Sequence, residues 1–322
     1  MIRIGVIGTG NISAVHLRYL QSRRDVQIAA LCDINPANLK RRRDEFGGEG
    51  FADYREMLRR TALDAVWLCT PPQVRRGPLL ACAERKIPVL CEKPVERDPA
   101  RAERIAAALA RRRARVQVGY VFRSMPIVER LRQAWADDRV HLVESLYGCN
   151  VSLTRSLPAW FYDKALSGGA LVDQATHNLD LLRMLLGEVA AVRGLAANPV
   201  HAKRKGYTVD EVLALGLRFR DGTVGSHAHT WVGDGWRNEM VFCGEKRLYR
   251  LDLGRGALTV EEGMNTWSFR QDQARMYEHQ SARFLELVKS GDWRANPCPY
   301  ADGVKTLKLT LACDRALGGR KA

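Results

Sequence analysis

The chain has 322 residues, more than one hydrophobic core usually organises, so its length favours two domains. Hydrophobic residues make up 46% and charged residues 27%, an ordinary globular balance, and no apolar run approaches the ~20 residues of a membrane-spanning helix, so no membrane partner is expected. A formal net charge of +15 raises nucleic-acid binding, but the arginine runs at 41–43 and 111–113 fall near the ends of helical patterns, where water solvates cations and the helix dipole favours them, so no nucleic-acid partner is expected either.

The chain opens on Met1-Ile2-Arg3-Ile4-Gly5-Val6-Ile7-Gly8, which reads as a strand and a glycine turn with no room for an export leader. The first 120 residues then alternate short β-rich runs with helical patterns, as a parallel sheet with crossover helices requires. The expected strands are 2–7, 26–32, 65–69, 89–91 and 115–118. Asn35-Pro36 and Asp98-Pro99 each read as an N-cap followed by proline at the first helical position, opening two of the crossover helices.

After Arg123 the rhythm changes. A helix over 125–136 precedes a β-rich run over 141–153, an irregular stretch around Pro158-Ala159-Trp160, and a helix over 171–186. From Thr208 strands alternate with tight turns at Asp221-Gly222, Asp234-Gly235 and Gly254-Arg255-Gly256, which predicts an antiparallel meander. Helical periodicity returns over 274–289 and 300–317, in helices expected to cover a sheet or pack back on the first domain. The architecture expected is α/β: a doubly wound parallel Rossmann domain over 1–122 and an α+β domain over 123–322.

Gly8-Thr9-Gly10-Asn11-Ile12-Ser13 follows a strand and opens an amphipathic helix, the context that makes a GxGxxG-like turn a dinucleotide fingerprint. Gly8 makes the turn, Gly10 lets backbone approach a pyrophosphate, and the helix N-terminus attracts the anion. Ser13 replaces the third glycine and is still small enough for close packing. Asp33, at the end of the second strand, suits the adenosine ribose hydroxyls and favours NAD. Lys40 and Arg41 to Arg43 downstream could reach a 2′-phosphate, which keeps NADP open.

Cys91-Glu92-Lys93-Pro94 leaves the strand at 89–91, on the side where ligands bind in open parallel sheets, so Lys93 points at the reactive end of the cofactor. Gly168-Gly169 leads into a helix that carries Asp173 and His177 at i and i+4 on one face. Apolar Leu171, Val172, Ala175, Leu179 and Leu182 surround the pair, so partial burial beside an acid would tune the imidazole for proton transfer. His227 and His229 alternate on a strand without a third ligand, so no metal is expected, and they read as surface or interface residues. Trp231, Trp236 and Trp267 are read as packing or interface residues, and Ser281 has no nucleophile context. The eight cysteines, at 32, 69, 82, 91, 149, 243, 298 and 313, lack metal-site spacing and read as buried reduced thiols of a cytoplasmic protein.

The GxGxxS turn, Thr70-Pro71-Pro72, Glu92-Lys93-Pro94, Gly119-Tyr120-Val121-Phe122-Arg123, and Gly168-Gly169 with Asp173 and His177 together resemble the Gfo/Idh/MocA oxidoreductases, in the family's order and over nearly the whole chain. The resemblance implies a large, mostly antiparallel open sheet in the second half, used to form a homodimer or homotetramer. It implies that Thr70, Pro71 and Glu92 join Gly8, Thr9, Gly10, Asn11, Ile12, Asp33 and Lys93 around the cofactor. Lys93 looks like the family's active-site lysine, His177 its general acid/base, and Asp173 the orienting partner and substrate ligand, while Arg123, Asn150, Trp160 and Asp180 fall where substrate contacts often occur. The chain departs from the family after Thr70-Pro71-Pro72, where Gln73-Val74-Arg75-Arg76 stands in place of an Asn-x-x-His stretch. The activity implied is hydride transfer between NAD, or NADP, and the CH–OH of a cyclic polyol, sugar or sugar derivative. The family's alternatives are a redox-assisted glycosidase and a non-catalytic cofactor-sensing regulator. Retention of Lys93, Asp173 and His177 together speaks against the regulator.

Overall fold

A computed structural model of the chain describes residues 1–151, 158–272 and 275–318. It divides into two units, Met1–Ser124 with Arg275–Leu307, and Met125–Ala274 with Lys308–Ala322. In the first, β1 (Ile2–Ile7), β2 (Val26–Cys32), β3 (Glu49–Phe51), β4 (Ala65–Leu68), β5 (Val89–Cys91) and β6 (Val116–Val118) form a parallel sheet in the order β3-β2-β1-β4-β5-β6. β4 and β5 are buried along their whole length, the continuous apolar pattern of strands covered on both faces. Connecting helices are α1 (Asn11–Gln21), α2 (Pro36–Phe46), α3 (Tyr54–Arg60), α4 (Arg76–Glu84) and α5 (Pro99–Arg111). The Asn35 side chain accepts from the Ala37 and Asn38 amides and that of Asp98 from the Ala100 amide, so both expected caps form.

Three of the expected strands have the bounds read from the sequence, and two are one residue shorter. β3 has no counterpart among the expected strands: three residues around Gly50 carry no β alternation, and the strand exists because β2 pairs with it. Arg42 also departs from the solvated arginine run; it is buried, bonds Glu45 at 2.7 Å and reaches the Gly10 carbonyl at 3.4 Å. The helix Met276–Ser290 completes the unit, with Phe284 meeting Trp67 edge to face at 5.0 Å.

The second unit carries α6 (Pro126–Ala134) and a sheet made of β7 (Val140–Asn150), β8 (Val189–Ala197), β9 (Val212–Phe219), β10 (Val224–Thr230), β11 (Val232–Gly244), β12 (Leu248–Asp252), β13 (Ala257–Glu262) and β14 (Asn265–Arg270). Its order is β14-β13-β12-β11-β7-β10-β9-β8. The predicted meander is corrected at one place: β10 lies parallel to β7, while the other pairs are antiparallel. Asp234-Gly235 is not a hairpin turn but part of β11, at a register shift between Val232 and Arg237. The Asp-Gly signal reflects a glycine at φ +68°, which a bulge needs as much as a turn does. β8 likewise has no counterpart among the expected strands, because its alanines and glycine show little β signature.

Two short helical segments, α7 (Lys164–Ser167) and the π turn Leu171–Ala175, lead into α8 (Thr176–Leu186), where a helix was expected. Residues 152 and 153 of the expected β-rich run and Ala274 of an expected helix lie outside the described residues. The final helix, Tyr300–Leu317, is divided between the two units. Among the described residues no helix is long and apolar enough to cross a membrane.

Candidate active site

The nucleotide loop is built by β1, β2 and α1. Gly8 has φ +90°, and a Cβ there would lie 2.7 Å from the Thr70 nitrogen and 2.8 Å from the Cys69 carbonyl carbon, so only glycine lets the turn pass the end of β4. Thr9 donates its amide and hydroxyl to Asp33 Oδ2 at 2.7 and 2.8 Å, and Asn35 donates its amide to Oδ1 at 2.8 Å. Asp33 thus first stiffens the loop, with lone-pair capacity left on Oδ1. Ser13, wholly buried, donates its hydroxyl to the Gly10 carbonyl at 2.7 Å, which explains how serine serves at the third glycine position.

A Cβ on Gly10 would meet no heavy atom of the described residues within 4 Å, so the backbone is open to approach. Among the described residues the first turn of α1 has neither a side-chain cap nor an acid, leaving the amides near Asn11 and Ile12 for an anion. An open glycine, an uncapped helix end and an acid at the end of β2 fit a dinucleotide.

Thr70 and Pro71 follow β4, and Glu92 and Lys93 follow β5, so the expected cofactor residues of this unit gather at the carboxyl ends of β1, β2, β4 and β5. Two residues that sequence reasoning did not single out organise the Lys93 loop. His16 on α1 is fully buried between Glu92 Oε1, 2.8 Å from its Nε2, and Ser281 Oγ, 3.0 Å from its Nδ1. Burial pushes the Glu92 carboxyl up, but the hydrogen bond and charge of His16, with the charges of Lys93 and Arg75, hold it below the ordinary carboxylate value. The signal available for His16 was a polar residue inside the apolar stripe of Ala14, Leu17 and Leu20. The second residue, Arg75, is buried beside the same loop.

In the second unit Gly168 and Gly169 have φ +81° and +66°, and a Cβ on Gly168 would lie 2.6 Å from that of Val172, so the glycine pair fixes the entry to the helix. Asp173 lies in the π turn and His177 on the first turn of α8, which is 9% exposed at His177; π turns recur at functional sites. Gln174 Oε1 accepts from Trp231 Nε1 at 2.6 Å and from Cys149 Sγ at 3.1 Å, docking the π turn against the sheet. Asp180 is buried on α8, Asn150 ends β7, and Trp160 is exposed in a short 3₁₀ turn, Ala159–Tyr162. Arg123, in the first unit, pairs with Asp302 at 2.6 Å and bonds the Pro297 carbonyl at 2.9 Å.

His227 and His229 are corrected from surface or interface residues to buried ones. His227 Nδ1 meets Ser145 Oγ at 2.9 Å, and Asn178 bonds Ser145 at 3.1 Å and exchanges amide bonds with Asn238 at 2.9 and 3.2 Å. His229 stacks on Tyr147 at 4.7 Å. Burial holds both imidazoles neutral, His227 pushed down to about 4. Trp231 is buried, Trp236 half-buried, and Trp267 exposed. All eight cysteines are free, seven of them buried, and burial pushes the Cys82 thiol up to about 12.

Comparison with known proteins agrees with this geometry. Residues 2–120 match the family model described as an oxidoreductase family with an NAD-binding Rossmann fold, and residues 134–250 match the GFO/IDH/MocA C-terminal domain. The rhizopine catabolism protein MocA of Rhizobium meliloti is 30% identical over 189 residues, a match spanning 58% of this chain and 57% of that protein. The myo-inositol 2-dehydrogenase of Thermotoga maritima is 24% identical over 332 residues, covering 100% of this chain and 98% of its own. A levoglucosan dehydrogenase solved in complex with NADH shares the fold at a TM-score of 0.84 and 19% identity, covering 98% of this chain and 97% of that one. With both halves matched in order, the chain belongs to the GFO/IDH/MocA family of oxidoreductases, sugar- and inositol-dehydrogenase-like proteins built on an NAD-binding Rossmann fold.

Proposed function

We propose that this protein is an NAD-dependent dehydrogenase of a cyclic polyol, sugar or sugar derivative, with residues 1–122 holding the cofactor and 123–322 the substrate. NADP is the alternative nucleotide. The reading is supported most by the loop in which Gly8, Thr9 and Asp33 are tied together beside an uncapped helix end, with Lys93 leaving β5 of the same sheet. The names of relatives acting on inositol and levoglucosan point to ring polyols as the substrate class.

When bound, the nicotinamide supplies the two-electron acceptor for the carbinol carbon. The amides at Gly10, Asn11 and Ile12 would bind the pyrophosphate, Thr70, Pro71 and Glu92 would border the nicotinamide half, and Asp33 would accept from the ribose. The Lys93 ammonium donates to the reacting oxygen and stabilises its developing negative charge. His177 takes the hydroxyl proton at a ring nitrogen and passes it to solvent, with Asp173 orienting the imidazole. Arg123, Asn150, Trp160 and Asp180 are the substrate contacts. The protein works as a homodimer or homotetramer through the open face of its second sheet, where Leu195, Val224 and Leu142 are 80%, 52% and 37% exposed.

The test is absorbance at the reduced-nicotinamide band while the protein and NAD, then NADP, are offered inositols, aldoses and anhydrosugars. Turnover with a ring polyol, falling roughly a hundredfold or more in Lys93→Met, is expected. Silence across the panel despite NADH binding would replace this reading with a redox-neutral glycosidase or a cofactor sensor.

A further inference from the structure

The stretch that departs from the family pattern, Gln73-Val74-Arg75-Arg76, turns one arginine inward. Arg76 is exposed, whereas Arg75 is 3% exposed and points beneath the loop that carries Lys93. Its Nε and Nη2 donate to the Thr70 carbonyl at 2.8 and 2.6 Å, and its Nη1 donates to the carbonyls of Glu92 and Pro94. One side chain therefore binds three main-chain carbonyls on the loops that leave β4 and β5.

The two carbonyls bound by Nη1 belong to the residues on either side of Lys93. The Lys93 amide in turn donates to Glu92 Oε2 at 3.3 Å. Among the described residues no carboxylate oxygen bonds Arg75, so its charge is opposed by Glu92 at a distance while its donors are spent on backbone. A buried cation with donors on two edges of one plane suits fixing two strands' loops in register. A lysine ammonium is a single point, and an imidazole has at most two N–H groups facing apart, so neither spans both loops.

We propose that Arg75 is a positioning residue that clamps the Thr70 and Lys93 loops together and thereby holds the Lys93 ammonium in its working place; its effect on turnover rests on the reading of Lys93 given above. Arg75 touches neither the reacting atoms nor the substrate.

The experiment uses full-length Arg75→Met, Arg75→Lys and Lys93→Met proteins. Amide hydrogen exchange of segments 69–74 and 91–96 is read without any cofactor, beside thermal unfolding, NADH affinity by fluorescence, and kcat and KM. Arg75→Met is expected to fold, to exchange faster in both segments, and to lose roughly tenfold to a hundredfold in kcat, as a displaced catalytic group does, with substrate KM nearly unchanged. Arg75→Lys is expected to fall between it and the parent in both readouts. Unchanged exchange in both segments overturns the clamp, and faster exchange with unchanged kcat overturns the positioning role. A fully active Lys93→Met removes the reading of Lys93 and leaves exchange to judge the clamp. Should Arg75→Met not fold, Arg75→Lys decides by the same two readouts. If neither folds, Arg75 is a core residue and the assignment fails.

Discussion

Gly8 shows how much of the nucleotide loop is decided by single atoms. An alanine there would place a methyl against the backbone of Cys69 and Thr70 and hold an L residue at φ +90°. Gly8→Ala is expected to destabilise the protein by about 2 kcal/mol or more, seen as a lower urea midpoint, and to weaken NADH binding at least tenfold by displacing Thr9. Unchanged NADH affinity would remove Gly8 from the cofactor loop. The glycine turn and the acid at the end of β2 were legible as positions because they depend on local backbone and on spacing along the chain. His16 and Arg75 were not, since their partners lie 76 residues away at Glu92 and 17 residues away on another strand's loop. Nothing in a run of arginines says which one turns inward.

Elements differ in the same way. The helix starts at Asn35-Pro36 and Asp98-Pro99 are capped as read, because a cap is a contact within three residues. β10 is different: its place beside β7 and the burial of His227 and His229 follow from sheet order and the helix above, not from its own residues. That burial has a pH signature. Burial lowers the His227 pKa from 6.5 to about 4, and burial with the charge of His227 lowers that of His229 well below 6.5. The unfolded chain therefore takes up protons near pH 6.5 that the folded one refuses, so stability is fully present above that pH and is lost as pH falls toward the folded values. Between pH 6.5 and roughly pH 5 His227 is expected to remove about 2 kcal/mol, and His229 to act in the same direction. Urea unfolding over this range tests it: His227→Gln should flatten the slope, and a parental slope in that variant would contradict the account.

At the scale of the whole molecule, the register places Leu195 beside Ala214, Ala214 beside Ala228, and Val224 beside Leu142 on one face of the second sheet. Exposed leucine and valine lie among small residues on this face, with exposed Arg193, Arg218 and Glu144 beside them, a mixed surface that suits a second copy. Leu195→Glu with Val224→Arg is expected to lower the molecular mass in sedimentation, to one chain from a dimer or to two from a tetramer, and an unchanged mass in the double variant would move the interface elsewhere. By itself the sequence determined the alternating parallel first domain, its capped helices, the glycine turn with its acid, and the family. Those are carried by periodicity and by groups within a few residues of each other, where chain connectivity supplies the contact. Only the tertiary structure decided that β10 runs parallel to β7, that Asp234-Gly235 lies within a strand, and that His16 and Arg75 brace the Lys93 loop. Each depends on which distant segment comes alongside, and the energy of burying a polar group against that segment is not written in the residue itself.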